Sequence, residues 1–403
     1  MKLLTRNKGA LLLLMLNIFL VFMGIGLVVP VMPQYMTELN INGSLVGMLV
    51  AAFSLTQFLF SPIAGRLSDA LGRKKIIVAG MIIFAISELM FGLVSTSLLL
   101  FVSRMMGGIG AALIMPAVMA YVADVSSSEE RATGMGFINA AITTGFIIGP
   151  GIGGFIAEFG IRVPFYCAGI AGAVAALVTS LILPESTTQE QRDQLKKDSG
   201  KSQSLVKQLI HSYKAPYFFS LIIVFVMAFG LANYETVFGL FVDHKFSFTP
   251  KDIAIIITFG SISGAVVQLT LFGWILNRFG ENKVISVCLF MASLTVLLTL
   301  FVNSYWMIMV VTFIVFLSID ILRPAISTKM SKMAEGQQGF VAGLNSAYTS
   351  LGNIAGPIVA GLLFDININF PYVSAAFVLL LCFGLSVMAA KGKGNKKAAP
   401  TEL

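Results

Sequence analysis

Apolar positions in this chain neither alternate nor form narrow stripes. They run in long blocks separated by short polar breaks. A helix needs about 20 apolar residues to cross the hydrocarbon of a bilayer, and backbone in lipid must satisfy its own hydrogen bonds. Each block therefore predicts one membrane-spanning helix. Twelve are predicted, at 10–32, 45–65, 75–95, 98–122, 133–157, 163–184, 216–242, 252–276, 284–302, 304–327, 338–362 and 371–390. The one long polar segment, 185–214, is rich in Gln, Ser, Lys and Asp and reads as a flexible cytoplasmic linker. The expected architecture is an all-α integral membrane protein with a six-helix bundle at 1–184, the linker, a second bundle at 215–390 and a cytoplasmic tail at 391–403.

The two bundles repeat each other. "GFIIGPGIGG" (145–154) in span 5 has a counterpart 207 residues on, "GNIAGPIVAG" (352–361) in span 11. "GRLSDALGRKK" (65–75), between spans 2 and 3, is echoed 208 residues on by "GWILNRFGENK" (273–283), and "MPAV" at Met115 by "RPAI" at Arg323. These are parallel repeats, and substrate sites in such folds lie near the bilayer midplane where the repeats meet. Glycine and proline are poor helix formers, so the span 5 motif needs a reason. Gly145, Gly149 and Gly153 recur at i, i+4, i+8 and expose bare backbone to a neighbouring helix. Pro150 removes one helical hydrogen bond and is expected to bend the helix there. Span 11 keeps the ridge as Gly352, Gly356 and Ala360, with Pro357 at the matching place. The expectation is a pair of close contacts at the seam between the halves.

Composition agrees: 57% of the 403 residues are hydrophobic and 11% charged, with a mean hydropathy of +0.89. Of 27 Lys and Arg, 22 fall in segments that are cytoplasmic if the N-terminus is inside, and Arg162, Lys245 and Lys251 fall outside. That bias places both termini in the cytoplasm. The net charge of +8 then reads as a topology signal and an attraction to anionic lipid, with no nucleic acid implied. The N-terminal block has no small-residue cleavage site and reads as a first span rather than a signal peptide. Cys167, Cys288 and Cys382 are scattered through apolar blocks, and His211 and His244 lie in polar connections. No metal site, histidine-based catalytic site or cofactor is expected. Nucleotide-loop and zinc-protease motifs are absent from the sequence, so neither an enzyme nor an ATP-driven pump is expected.

Ionisable side chains at bilayer depth are rare and usually functional. Glu88, Arg104, Glu235, Asp320 and Arg323 are placed there. Asp320 and Arg323 stand at i, i+3, so a local ion pair is one expectation, and a bracing role for it stands beside a functional one. Glu235 has no charged neighbour within a turn; a carboxyl at that depth suits a group that binds and releases a proton. Arg104, among glycines in span 4, is placed to answer a buried carboxylate. In the loop between spans 2 and 3, Gly72 suits a tight turn and Gly65 a close helix approach. Asp69 can cap a helix or pair with Arg73 in a contact made in one transport state only.

Over nearly its whole length the chain resembles the major facilitator superfamily. "GRLSDALGRKK" is similar to its loop 2–3 signature, "MGIGLVVPVMP" (23–33) to the span 1 motif of its twelve-span drug group, "FVSRMMGGIGAALIMPA" around Arg104 to the span 4 motif, and "GFIIGPGIGG" to the span 5 motif of its drug:proton antiporters. With "NYETVF", "DILRPAI" and "QGFVAGLNSAYTSLGNIAGP", the likeness is strongest to Gram-positive multidrug efflux pumps of the NorA/Bmr type. The resemblance implies a monomeric antiporter that exports amphipathic, often cationic drugs, fluoroquinolone- and dye-like, in exchange for protons, by alternating access in the bacterial cell membrane. It implies proton coupling and attraction of cationic drugs at Glu235 and Asp320, beside which Arg104 and Arg323 are read as coupling residues from their depth, a peripheral span 3 with a bland Glu88, and drug contact at Phe22, Ile25, Val29, Gln57, Thr143, Phe146, Glu235, Phe316, Asp320, Ser350 and Asn353. Thr143 stands where the family pattern has an amide, and Val29 where it has isoleucine. Gly65, Asp69, Gly72, Arg73, Gly145, Gly149, Pro150, Gly153, Gly154, Gly356 and Pro357 are the expected gating positions. Proton-coupled nutrient uptake on the same fold is the alternative, and the span 5 motif weighs against it.

Overall fold

The computed structural model describes residues 2–127, 130–189, 209–333 and 338–396. Its long helices are α1 (Lys2–Leu39), α2 (Gly43–Leu71), α3 (Arg73–Leu93), α4 (Ser97–Val125), α5 (Arg131–Ile156), α6 (Val163–Ile182), α7 (Phe218–Phe246), α8 (Pro250–Thr270), α9 (Glu281–Leu298), α10 (Tyr305–Met333), α11 (Gln338–Ile366) and α12 (Phe370–Lys396). Among the described residues, twelve helices are long and apolar enough to cross a membrane. Leu98, Leu181, Leu269 and Trp306 are more than two-thirds exposed on them, as expected of surfaces whose solvent is lipid.

Several helices overrun the apolar blocks, because a helix ends at a cap rather than at the edge of the hydrocarbon. α1 runs to Leu39 and stops before Asn40, whose φ is 50°. α2 starts from Asn42, whose side-chain oxygen accepts from Leu45 N at 3.0 Å. α8 departs from the expected span: it breaks at Leu271 and a short helix, Phe272–Phe279, follows.

The repeat is written in the backbone. Gly72, the single residue between α2 and α3, has φ 103° and ψ 148° and donates to Ser68 O at 3.1 Å. Gly280, ahead of α9, has φ 74° and ψ 154° and donates to Leu276 O at 2.9 Å. A side chain is strained at such φ values, so both corners need glycine.

The chain divides into two compact units, the first Met1–Gln203 with Gly239–Ile255, the second Ser204–Phe238 with Ile256–Leu403. In the first, α1 packs on α5, α2 on α4, and α3 on α4 and α6. Leu14, Ile18, Ile77, Met81, Phe84, Ile114, Val118 and Tyr121 form its buried centre. In the second, α9 packs on α10 and α12, α11 meets α7, and α8 meets α10. The segment expected as a flexible linker begins with an ordered contact. Glu185 Oε1 accepts from the backbone N–H groups of Arg73 at 2.9 Å and Lys74 at 3.4 Å, which caps the start of α3. Residues 190–208 of that segment lie outside the described residues, as does most of the tail's side-chain detail.

Candidate functional site

The second unit holds the carboxyls of most interest. Glu235 on α7 and Asp320 on α10 are half-buried, while Arg323, one turn beyond Asp320, is exposed. The charged groups in electrostatic reach of Glu235 are Arg323 and Asp320, so the carboxyl that stood alone in sequence gains its charged neighbours from another helix. The expected ion pair between Asp320 and Arg323 is not formed within 4.0 Å; Arg323 acts on Asp320 only at longer range. The Asp320 carboxyl lies against the backbone of α8 at Gly264, away from the next turn of its own helix.

On α10, Phe316 is buried against Gly260 of α8, and on α11 Ser350 is half-buried and Asn353 exposed. The remaining drug-contact candidates belong to the first unit. Phe22, Ile25 and Val29 share one face of α1 at i, i+3, i+7, with Phe22 buried and the other two half-buried. Phe146 of α5 sets its ring edge-on to Phe22 at a centroid distance of 4.9 Å. Thr143, one turn before it, is exposed, and Gln57 on α2 is half-buried.

The span 5 ridge does what bare backbone allows, and the helix it meets is α1. A Cβ at Gly145 would come 2.8 Å from Phe19 O, one at Gly149 2.6 Å from Met23 O, and one at Gly153 2.6 Å from Leu27 O. All three face α1 of their own half. Gly26 on α1 completes the contact: a Cβ there would come 3.0 Å from a ring carbon of Pro150. The copy is likewise internal to its half: a Cβ at Gly352 or Gly356 would meet Phe225 O at 2.7 Å or Phe229 O at 2.6 Å on α7. Gly154, off the ridge, faces Pro250 and Ala254 at the start of α8. Pro150 and Pro357 both lie inside unbroken helices.

The loop 2–3 residues form a ring of charge. The Arg73 guanidinium pairs with Asp69, donates from Nε to Asp124 Oδ2 at 3.1 Å and from Nη1 to Ser68 Oγ at 3.1 Å. Ser186 Oγ donates to the same Asp124 oxygen at 2.8 Å, and Tyr121 OH donates to Pro184 O at 2.8 Å. Asp124 and Glu185 escaped the sequence reading, although an acidic residue at the end of span 4 among positive loops was a visible signal. Gly65 does not make the close approach expected of it: a Cβ there meets nothing within 4 Å.

Arg104 finds its carboxylate in Glu88, which the resemblance left without a role. Nη1 lies 3.7 Å from Oε1, with the two side chains 7% and 2% exposed. The guanidinium carbon sits 3.8 Å over the Phe91 ring, and Phe91 stacks on Tyr35, whose OH donates to Phe91 O at 2.6 Å. Glu88 Oε2 and Arg104 Nε and Nη2 are buried without hydrogen-bond partners among the described residues. A buried pair so sparsely bonded contributes little net stability, yet losing one partner strands the other.

Among known proteins, the chain is 49% identical over 398 residues to "Multidrug resistance protein 2" of Bacillus subtilis (strain 168), covering 99% of each. It is 42% identical over 365 residues to "Quinolone resistance protein NorA" of Staphylococcus aureus, covering 90% of this chain and 92% of that one. In fold it matches the crystal structure of a bacterial homologue of the human lysosomal transporter Spinster, with a TM-score of 0.77 at 16% identity, covering 94% of this chain and 96% of that one. The Major Facilitator Superfamily profile matches residues 14–242 and 220–403. The chain belongs to the major facilitator superfamily.

Proposed function

We propose that the protein is a multidrug efflux transporter that exports amphipathic and cationic drugs in exchange for protons by alternating access. The observation that carries this is the pair of half-buried carboxyls, Glu235 and Asp320, that no described cation holds within 4.0 Å. Such groups are open to a proton or to a cationic substrate, and competition between the two is the simplest basis for exchange. The relatives named for multidrug and quinolone resistance support the same substrate class. Uptake of a nutrient is not favoured.

On this view Arg323 tunes both carboxyls, and Arg104 serves the coupling through Glu88. Phe22, Ile25, Val29, Gln57, Thr143, Phe146, Phe316, Ser350 and Asn353 supply aromatic, aliphatic and polar contact to the drug. Gly65, Asp69, Gly72, Arg73 and the glycines and prolines of α5 and α11 serve the conformational cycle. Protons are the only coupling species invoked; the protein acts as a monomer in a bacterial cell membrane with both termini cytoplasmic. One proton entering down 100 mV releases about 2.3 kcal/mol, and a pH unit adds about 1.4 kcal/mol. One or two protons therefore support a drug gradient of about a hundredfold or more. Cells expressing the protein should accumulate less ethidium until a protonophore is added. Accumulation indifferent to the protonophore would refute the antiport reading.

A further inference from the structure

Two glycines of α8 have no part in the function proposed above. Gly260 and Gly264 lie one turn apart, both buried and both facing α10 of the same unit. A Cβ at Gly260 would come 3.0 Å from Cδ2 of the Phe316 ring. A Cβ at Gly264 would overlap Oδ2 of Asp320, with Cγ 3.0 Å and Cβ 3.3 Å away. The carboxyl thus rests on bare backbone. No cation lies within 4.0 Å of it among the described residues, so packing against α8 holds it.

The first half builds the corresponding contact the other way round. Shifted by 208 positions, Gly264 corresponds to Thr56, Phe316 to Gly108 and Asp320 to Ala112. There α4 supplies the glycine: a Cβ at Gly108 would overlap Thr56 Oγ1 and Phe53 O of α2. Thr56 Oγ1 also donates to Met105 O at 3.1 Å. In the first half α2 brings side chains to the bare backbone of α4; in the second, α10 brings side chains to the bare backbone of α8. That exchange makes room on α10 for an acidic side chain where the first half has only Ala112.

We propose that Gly264 is a positioning residue for Asp320: the missing Cβ lets the carboxyl lie against α8 instead of turning toward Arg323, which leaves it open to a cationic substrate or a proton. The role of Asp320 rests on the function proposed above; the seat itself does not. Side chains occupy discrete staggered wells. A Cβ on α8 closes the present one, and the nearest charged group on the same helix is then Arg323, at the i, i+3 spacing that favours an ion pair. The other ionisable group in reach is Glu235 on α7. Gly264→Ala should therefore convert an open carboxyl into a paired one.

The test uses the full chain, purified and reconstituted in liposomes, with ethidium as the cationic probe. Gly264→Ala is expected to weaken ethidium binding about fivefold, the upper end of what an ion pair with the exposed Arg323 can withhold from a cation. It should also displace the pH at which half the binding is lost, while the maximal transport rate changes far less. Gly260→Ala, whose Cβ has its nearest contacts with Phe316, should leave that pH unmoved. A folded Gly264→Ala protein with unchanged affinity and unchanged pH midpoint overturns the proposal. Should Gly264→Ala fold poorly, thermal unfolding decides. Asp320→Ala removes the atom that the new Cβ strikes and is expected to restore the melting temperature, whereas the isosteric Asp320→Asn is not. Equal loss in all three backgrounds overturns the contact. Wild-type binding without pH dependence, together with transport indifferent to a protonophore, would instead defeat the proposed function, and the unfolding comparison would still decide the role of Gly264.

Discussion

Arg104 and Glu88 face each other across the α3–α4 contact at 3.7 Å, with one oxygen and two nitrogens of the pair left without hydrogen bonds. Taking two charges out of water is costly, and their attraction repays the cost only when the remaining donors and acceptors are also satisfied. Here the Phe91 ring face replaces a missing acceptor. The pair is therefore poised between bracing the bundle and serving its chemistry, and substitution separates the two.

Glu88→Gln or Arg104→Met alone should destabilise the purified protein by about 3–5 kcal/mol, because each leaves an unpaired buried charge or its orphaned donors. Glu88→Leu combined with Arg104→Met should recover most of that loss in thermal unfolding. If the double variant is stable yet no longer couples dye efflux to protons, Arg104 acts in coupling. If it is both stable and coupled, the pair only braces α3 against α4.

The α1–α5 contact gives a contrast between two glycines. Gly149→Ala drives a Cβ into Met23 O and should cost about 1–3 kcal/mol, the usual penalty for overpacking. Gly65→Ala meets open space, so it should be neutral or stabilising by up to about 1 kcal/mol through helix propensity. Melting temperatures of the two variants check this, and the opposite order would contradict the packing described here.

At the cytoplasmic corner Arg73 serves Asp69, Asp124 and Ser68 together. A lysine keeps the charge but not the fork of donors. Arg73→Lys should thus resemble Arg73→Ala more closely than the wild type in both stability and transport. Because Asp69 and Asp124 share one guanidinium, Asp69→Asn and Asp124→Asn should be non-additive in a double-mutant cycle of thermal unfolding. Additivity would mean that the carboxylates act separately.

Glu235→Gln keeps the shape of the side chain but removes its exchangeable proton. In everted vesicles it should abolish drug-induced proton release while leaving the protein in the membrane. Wild-type coupling in that variant would remove Glu235 from the proton path.

Much of the fold was visible in sequence because its causes are local. Apolar runs of bilayer length gave twelve helices, and a constant offset of 207–208 residues gave the repeat. The glycine ridge of α5 was also readable as a close contact. Its partner was not, since spacing along one helix shows that a face is bare without showing which helix covers it. The same limit hid the pairing of Arg104 with Glu88 and the return of Glu185 to cap α3 across 112 positions. Gly260 and Gly264 did leave a trace in the G-x-x-x-G of "GSISG". What made them matter was Asp320, more than fifty residues away along the chain.

The corners at Gly72 and Gly280 carry one further consequence. After the first glycine the chain continues Arg73, Lys74, Lys75; after the second it continues Glu281, Asn282, Lys283. The side chains have parted company while the bend in the main chain has stayed the same. The halves thus share the backbone conformation of this corner, with φ 103° and ψ 148° at Gly72 and φ 74° and ψ 154° at Gly280, under different side-chain chemistry. An engineer wishing to graft the charged lock of one half onto the other would inherit the glycine corner at no cost and would have only side chains to transplant.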